Sequence, residues 1–256
     1  MLRTGYSHMW ADAHQYVSST SLSMDLAAAF GITPKLHVTA FVPVRFNTFS
    51  HEEDLYQLSG VGDIGAVANY ILYTNQDSMM ARNKYTLSVR GGVELPTGRF
   101  NTGFREEDIP AAISPGSGSF DVISGARLRG RFTNTSVTLD YAIRYHTMNQ
   151  VEYKFGLQQS ANCTAGYLIK KPAYSLLPYG GVSAEFVAGD TYHGYLQEGT
   201  TGYAWFTGAG LEFALNTWVM GVQADIPVLS HYDTEVHLEP RFSVRLSYMW
   251  NSAATA

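Results

Sequence analysis

Three residues in one segment carry side chains that could act as catalytic groups. His146, Asp140 and Arg144 stand an even number of positions apart, so in a β-strand they share one face. A histidine beside a carboxylate can serve as a general base, and with a nearby serine it could form a hydrolytic site. The sequence places no serine beside His146. We therefore predict that the chain is not an enzyme, and we keep a site at His146 as the third of three functional alternatives.

Two histidine groups could bind a metal ion, but neither has the spacing of a defined ligand set. Both fall in polar connecting segments: His8 and His14 with Asp12, and His231 and His237 flanking Asp233 and Glu235. No glycine-rich loop follows a strand and opens a helix as nucleotide binding requires. We predict no metal site and no cofactor.

The most extensive pattern of charged groups is a set of arginines and carboxylates at alternate positions of many segments. Acids and arginines are nearly balanced, and lysines are absent from these positions. Guanidinium groups facing carboxylates suit enclosed, partly desolvated pairing. We predict that this polar face, which also includes Asp63, Arg131 and Arg241, lines an interior cross-linked by ion pairs. The candidate interior residues are Asp25, Arg45, Arg90, Glu94, Asp121, Arg127, Arg129, Asp140, Arg144, Glu185, Glu212, Asp225 and Arg245.

Apolar and polar side chains alternate along these segments, as they do in a β-strand with one polar face. The stretch Phe206–Val228 shows the alternation twice, with a turn at Asn216 and Thr217. The alternation predicts about twelve strands, at roughly Leu2–Ser7, Ser21–Gly31, Leu36–Phe46, Asp63–Tyr73, Tyr85–Pro96, Phe120–Phe132, Ser136–His146, Phe155–Ile169, Tyr174–Ala188, Tyr203–Leu215, Trp218–Leu229 and Arg241–Trp250.

Strand length and composition favour a membrane barrel over a soluble sandwich. Most segments exceed the roughly 5–6 residues usual in soluble sheets and match the roughly 9–11 that cross a bilayer at a tilt. Of the 256 residues only 15% are charged, and aromatic side chains stand at the ends of the apolar faces. We predict an all-β fold, a transmembrane antiparallel up-and-down β-barrel of about 12 strands, with outer-membrane lipid around it.

Short and long connections alternate along the chain, which predicts short periplasmic turns and long extracellular loops. Short links fall at Thr33–Lys35, Thr133–Thr135, Lys170–Ala173 and Asn216–Thr217. Long polar links are predicted at Asn47–Gly62, Thr97–Gly118, Thr147–Lys154, Asp190–Gly202 and Ser230–Glu239, and Thr74–Lys84 is longer than its class. For Thr97–Gly118 two interpretations stay open: a solvated external loop, or a segment folded inward that brings Arg105, Glu106, Glu107 and Asp108 to the lumen.

Composition indicates one domain spanning residues 1–256, with 251–256 as a tail and an N-terminus that looks trimmed because no signal peptide is recognisable. The formal charge of -5 and the scattered basic residues indicate no nucleic-acid partner. The single cysteine, Cys163, falls on the apolar face. No apolar run reaches the length of about 18 residues that predicts a transmembrane helix.

Several motifs resemble a known family. In order and spacing, GVGDIGAVANYIL from Gly60, GVELPTGRF from Gly92 and GSGSFD from Gly116 resemble the outer-membrane transporter-like proteins grouped with meta-pathway phenol-degradation proteins. HGYLQEGTTGYAWFTGAGLEF from His193 resembles a later barrel segment of related chains. The resemblance implies an outer-membrane location and uptake of small, often hydrophobic compounds. Some relatives carry a Cys-rich N-terminal segment, which is missing from this sequence.

Three functions follow from these features. The first is a passive channel or transporter for small molecules, including hydrophobic or aromatic ones, with a small-molecule solute as partner. The second is a closed structural barrel that binds another envelope protein through its long loops. The third is an enzyme at the barrel rim. A barrel of about twelve strands is near the size at which side chains still block much of the lumen.

Overall fold

The computed structural model describes residues 2–12, 16–51, 54–75, 83–101, 111–233 and 236–250. Within them, no helix is long and apolar enough to cross a membrane. A single 3-10 turn, Ala111–Ile113, accompanies the strands. In chain order the strands are β1 (Leu2–Asp12), β2 (Tyr16–Gly31), β3 (Leu36–His51), β4 (Asp54–Val61), β5 (Gly65–Thr74), β6 (Asn83–Glu94), β7 (Asp121–Phe132), β8 (Thr135–His146), β9 (Tyr153–Lys154), β10 (Gln158–Tyr167), β11 (Ile169–Lys170), β12 (Tyr174–Val187), β13 (Thr191–Tyr192), β14 (Tyr195–Leu196), β15 (Gly202–Leu215), β16 (Trp218–Tyr232), β17 (Val236–Leu238) and β18 (Arg241–Tyr248).

Twelve of the described strands form a closed antiparallel ring. Each pairs with the next one along the chain, β10 pairs with β12, and β1 pairs with β18. The ring order is β1, β2, β3, β5, β6, β7, β8, β10, β12, β15, β16 and β18. Closure leaves no strand edge unpaired in the wall. The predicted all-β up-and-down barrel of about twelve strands is confirmed.

The outer surface of the ring is apolar. Leu128, Leu139, Val182, Leu211 and Val222 point outward with 40% to 53% of their surface exposed. A soluble monomer rarely exposes a continuous apolar surface of this extent, whereas lipid covers it at no cost. Cys163 lies on this surface, as the alternation predicted. The outward face is therefore the lipid-facing belt of the barrel.

Aromatic rings pack in pairs across neighbouring strands near the rim with short turns, which we call the short-turn rim. Trp218 and Tyr248 join β16 to β18 with centroids 4.9 Å apart, and Tyr85 meets Phe132 edge-on at 5.7 Å between β6 and β7. Aromatic rings prefer the level of the lipid headgroups. These pairs form part of the aromatic girdle that the sequence predicted.

Several strands continue beyond their predicted ends at the opposite, long-loop rim. The predicted loop Asn47–Gly62 is wrong, because β3 runs to His51 and β4 returns from Asp54. The predicted loop Ser230–Glu239 is likewise wrong, because β16 reaches Tyr232 and β17 pairs with β1. Strands that protrude beyond the bilayer no longer need an apolar outward face, so the alternation that marks them in the sequence stops before the strand does.

Other boundaries shift inward. The predicted strand from Phe155 begins instead at Gln158, and Tyr153–Lys154 forms β9, which pairs with β13 in a separate small sheet completed by β14. The strand predicted from Asp63 begins at Gly65, because Asp63 turns toward the barrel interior. We call the three-stranded sheet, with residues 147–157 and 188–201 that carry it, the cap.

Candidate functional site in the barrel lumen

Most of the candidate interior residues line one of two cavities enclosed by the wall: Asp25, Arg45, Glu94, Asp121 and Arg144 line one, and Arg127, Arg129, Asp140, Glu212 and Arg245 line the other. The register between β7 and β8 determines which of these side chains are neighbours. Arg127 on β7 faces Asp140 on β8, and Asp121 faces His146. Cross-strand pairs on one face of a sheet come within about 5.5 Å of each other. The lumen contains a cavity near each rim.

The inner cavity lies toward the short-turn rim and has a volume of about 450 Å³. Its lining is mainly polar and includes four arginines but only two carboxylates. These are Arg127, Arg129, Arg131 and Arg245, with Asp140 and Glu212. The charge imbalance makes this end of the lumen basic.

Ion pairs cross-link the strands around the lumen, and several of them reach past the adjacent strand. Asp140 pairs with Arg90 on one side and with Arg127 Nε at 2.6 Å on the other, so one carboxylate serves two arginines. Arg245 pairs with Glu212. Charges that are partly exposed, as Arg127 is, are screened by solvent, so each such pair contributes on the order of 1 kcal/mol or less to stability. Their effect is to hold the side chains of the lumen in defined positions.

Further polar contacts complete this cross-linking. Arg241 Nη1 lies 2.7 Å from Glu185 Oε1, and its guanidinium stacks over the Phe206 ring at 4.1 Å. The Tyr179 hydroxyl donates to Gln223, whose amide donates in turn to Asp225 at 2.9 Å. Most charged groups of the lumen are therefore engaged with a neighbour.

The outer cavity lies toward the long-loop rim and has a volume of about 490 Å³. Asp25, Asp63, Glu94 and Asp121 contribute its acidic groups. Arg45, Arg144, Arg241 and His146 contribute its basic ones. The Arg144 guanidinium lies 3.0 Å from Glu94. No residue of the described chain lines both cavities.

Part of the long segment between β6 and β7 folds into this outer cavity. Residues Ala112 to Ser117 line it, and Asn47 on β3 donates from its amide to the Ile113 carbonyl at 2.5 Å. The sequence left open whether this segment is a solvated external loop or folds inward, and residues 111–118 fold inward. The four charged residues proposed for the lumen, Arg105 to Asp108, lie outside the described residues. We call residues 111–118 the inserted segment.

Three glycines let the inserted segment approach the wall. A Cβ on Gly98 would lie 2.6 Å from the Gly62 carbonyl carbon and 2.7 Å from the Gly116 Cα. A Cβ on Gly62 would lie 2.6 Å from the Pro115 oxygen. All of these neighbours are backbone atoms, so only residues without a Cβ fit where the three chain segments cross. We call this contact the glycine crossing.

Asp63 fastens the glycine crossing. Its carboxylate, 7% exposed, accepts hydrogen bonds from Gly98 N at 2.9 Å, Ser117 N at 2.6 Å and Ser117 Oγ at 2.7 Å. Hydrogen bonds to a charged acceptor are stronger than neutral ones. One carboxylate, two residues before β5, thus holds both ends of the segment between β6 and β7.

The three family-like motifs of the sequence meet at this contact. GVGD supplies Gly62 and Asp63, LPTG supplies Gly98, and the third motif supplies Gly116 and Ser117. The sequence alone did not indicate that these motifs touch each other. Their joint role is to position the inserted segment.

The cap has its own buried polar centre. The Tyr153 hydroxyl donates to Asp190 Oδ2 at 2.5 Å, and Gly156 N donates to Asp190 Oδ1 at 2.7 Å. Asn149 accepts from the Tyr153 backbone N–H at 2.9 Å. Phe100 and Phe155 pack on the Tyr153 ring. The cap is therefore an ordered structure above the long-loop rim.

Burial shifts both titratable groups of this centre toward their neutral forms. Burial raises the pKa of Asp190, although the bonds from Tyr153 and Gly156 oppose the shift, and burial together with Asp190 raises the pKa of Tyr153. A raised folded-state pKa means that the folded cap holds its proton more tightly than the unfolded chain does. For Asp190, this stabilisation is complete below the ordinary aspartate pKa and is lost as the pH rises through the folded-state pKa.

We expect Tyr153→Phe to loosen the cap. The substitution leaves the buried Asp190 carboxylate without its phenol donor, at a cost of about 1.5–3 kcal/mol for a hydrogen bond to a charged group. Amide hydrogen exchange at residues 149–156 should become about tenfold to a hundredfold faster. Tyr195→Phe is the matched control, because Tyr195 is 77% exposed in the same cap and should leave exchange unchanged. Equal protection in the two variants would contradict this role.

The histidine considered as a catalytic base lies in a different arrangement from that of a hydrolase. His146, 4% exposed, has Nδ1 2.8 Å from Asp121 Oδ2 but outside hydrogen-bond geometry. Ser119 Oγ donates to the same carboxylate at 2.6 Å, so the aspartate stands between serine and histidine. In the described structure no polar atom bonds His146 Nε2, where a nucleophile would have to lie. The geometry gives no support to a rim enzyme.

No cluster of three or more potential metal ligands is present in the part of the chain that the structure describes. The side chains of His8, Asp12 and His14 lie outside that part, as does Glu235 of the second histidine group. Lys84 corrects one expectation: it faces the lumen in register with Arg131, so lysine is not absent from the polar face. Lys84 lies at the start of β6, in a stretch that the sequence predicted to be a loop.

The comparisons with known proteins are consistent with the fold. No family model and no curated protein matches the chain. Among solved structures it is similar to an outer-membrane channel from Pseudomonas putida F1, with a TM-score of 0.66, 16% identity, and coverage of 96% of this chain and 94% of that chain. It is also similar to the β-domain of the Bordetella autotransporter BrkA, with a TM-score of 0.56, 11% identity, and coverage of 97% and 98%.

At these identities the likeness concerns the fold. The expected grouping with meta-pathway phenol-degradation proteins has no support from a family model and stays a prediction. The closed ring, its lipid-facing belt and these two structures lead to one conclusion: the chain is a β-barrel of the bacterial outer-membrane type.

Proposed function

We propose that the barrel is a passive outer-membrane channel for small polar or charged solutes. The observation that carries this proposal is the pair of cavities in the lumen, both lined by charged and hydroxyl-bearing side chains. Side chains of this kind replace part of the hydration shell of a passing solute. The similar Pseudomonas putida structure is itself described as a channel. Hydrophobic or aromatic solutes remain a prediction from the sequence, and the polar lining favours hydrophilic ones.

A closed barrel that binds an envelope partner is the second candidate. The observation in its favour is that the two cavities share no lining residue and that the inserted segment occupies the outer one. The cap would then be the surface that the partner contacts. Conductance distinguishes the two candidates directly.

The test is single-channel recording of the refolded chain in a planar bilayer, with wild type compared to a double reversal, Arg127→Glu with Arg129→Glu. A channel should give steady conductance, and the reversal should shift its ion preference toward cations. Lys35→Glu is the control, because Lys35 is exposed in the turn between β2 and β3. A silent wild-type barrel would refute the channel and direct attention to partners of the cap.

A further inference from the structure

The inner cavity contains more positive charge than the barrel neutralises. Arg127, Arg129 and Arg131 alternate along the inward face of β7, so successive guanidinium groups start about 7 Å apart. Arg127, Arg131 and Arg245 line the same cavity as Arg129.

The carboxylates of this cavity are already engaged. Asp140 forms ion pairs with Arg90 and Arg127, and Glu212 forms an ion pair with Arg245. Among the described residues, no carboxylate pairs with Arg129 or Arg131, and both side chains are exposed to the cavity. Two arginines of the outer cavity do have acidic partners: Arg144 pairs with Glu94, and Arg241 pairs with Glu185. Arg129 and Arg131 are thus available to an anion from outside the chain.

The surroundings of these two arginines suit an oxyanion. Thr138 stands opposite Arg129 and Ser136 opposite Arg131 on β8, and Asn162 and Thr164 on β10 complete the wall. Hydroxyl and amide groups can donate to anionic oxygens, while a guanidinium fork binds carboxylate or phosphate with two parallel hydrogen bonds. A volume of about 450 Å³ accommodates a molecule with several such groups.

We propose that Arg129 and Arg131 form a binding site for small oxyanions, carboxylates or phosphates, in the inner half of the lumen. The proposal deepens the channel function by naming the class of solute that the lumen retains. Binding at this site does not itself require conductance, so the two proposals can fail separately.

The first experiment measures binding without current. The full-length refolded barrel in detergent is titrated by calorimetry with inorganic phosphate and, in a second series, with succinate. We expect saturable binding of at least one of them, weakened tenfold or more in the double variant Arg129→Gln with Arg131→Gln. Lys35→Gln removes one positive charge from an exposed turn and should bind like wild type. Arg129→Lys keeps the charge but loses the fork, so it should bind with intermediate affinity and guards against a variant that misfolds.

The outcomes separate the possibilities. Preference for succinate over phosphate assigns carboxylates, and the reverse preference assigns phosphates. Absence of saturable binding in wild type, or equal binding by wild type and the double variant, would overturn the site. Binding by a barrel that carries no current would support the site and refute the channel. Current in a barrel that binds neither anion would support the channel and refute the site.

Discussion

Gly98→Ala is expected to expel the inserted segment from the outer cavity. The added Cβ would lie within 2.8 Å of backbone atoms of both Gly62 and Gly116, so the chain segments that cross here could not keep their present separation. We expect a local cost of about 3 kcal/mol or more, at the upper end of the range for overpacking. Single-channel conductance should rise severalfold, because the outer half of the lumen then loses its contents.

The matched control for this substitution is Gly91→Ala. Gly91 lies on β6, seven positions before Gly98, and a Cβ there would meet no atom within 4 Å. Conductance of Gly91→Ala should equal that of wild type, and its thermal unfolding in detergent should stay within a few degrees. If both alanine variants conducted alike, the glycine crossing would have no part in limiting the pore.

Asp63→Asn is expected to release the same segment through loss of hydrogen bonds. An amide keeps one acceptor oxygen, and its NH₂ group would face N–H or O–H donors of Gly98 or Ser117. Loss of two bonds to a charged acceptor corresponds to about 3 kcal/mol. Hydrogen exchange at residues 98–101 and 111–118 should then become about a hundredfold faster, with conductance raised in parallel.

Asp25→Asn separates this effect from a change of lumen charge. Asp25 lines the same outer cavity, so the control removes the same negative charge without touching the bonds of the inserted segment. Only Asp63→Asn should alter exchange in that segment. Ion preference, in contrast, should change by a similar amount in both variants. Faster exchange in Asp25→Asn would assign the effect to charge rather than to the bonds of Asp63.

The wall of the barrel could be predicted from the sequence because lipid demands a regular pattern. Alternation from Leu36 to Phe46 or from Trp218 to Val228 identifies each lipid-facing side, and register then sends Arg127 and Asp140 inward together. The interior charges were predicted by the same reasoning. Each of them stands on a strand whose opposite face must be apolar.

The contents of the lumen could not be predicted in this way. The inserted segment depends on contacts between residues far apart in sequence, such as Asn47 with Ile113 and Asp63 with Ser117. No local pattern reports such contacts. The cap was also missed, because β9, β13 and β14 have only two residues each, too few for periodicity to be visible. For the glycine crossing, the sequence offered one signal, the clustered glycines in three separate motifs.

The closed ring implies an order of events during biogenesis. The connections that carry the inserted segment and the cap lie on one rim, so each must cross the bilayer when its hairpin inserts, whereas the turns of the opposite rim do not. A folded cap is too bulky and too polar to cross in that form. The cap and the glycine crossing therefore assemble only after the hairpins that carry them have passed through. The barrel wall therefore forms first, and the cap and the inserted segment fold afterwards at the long-loop rim.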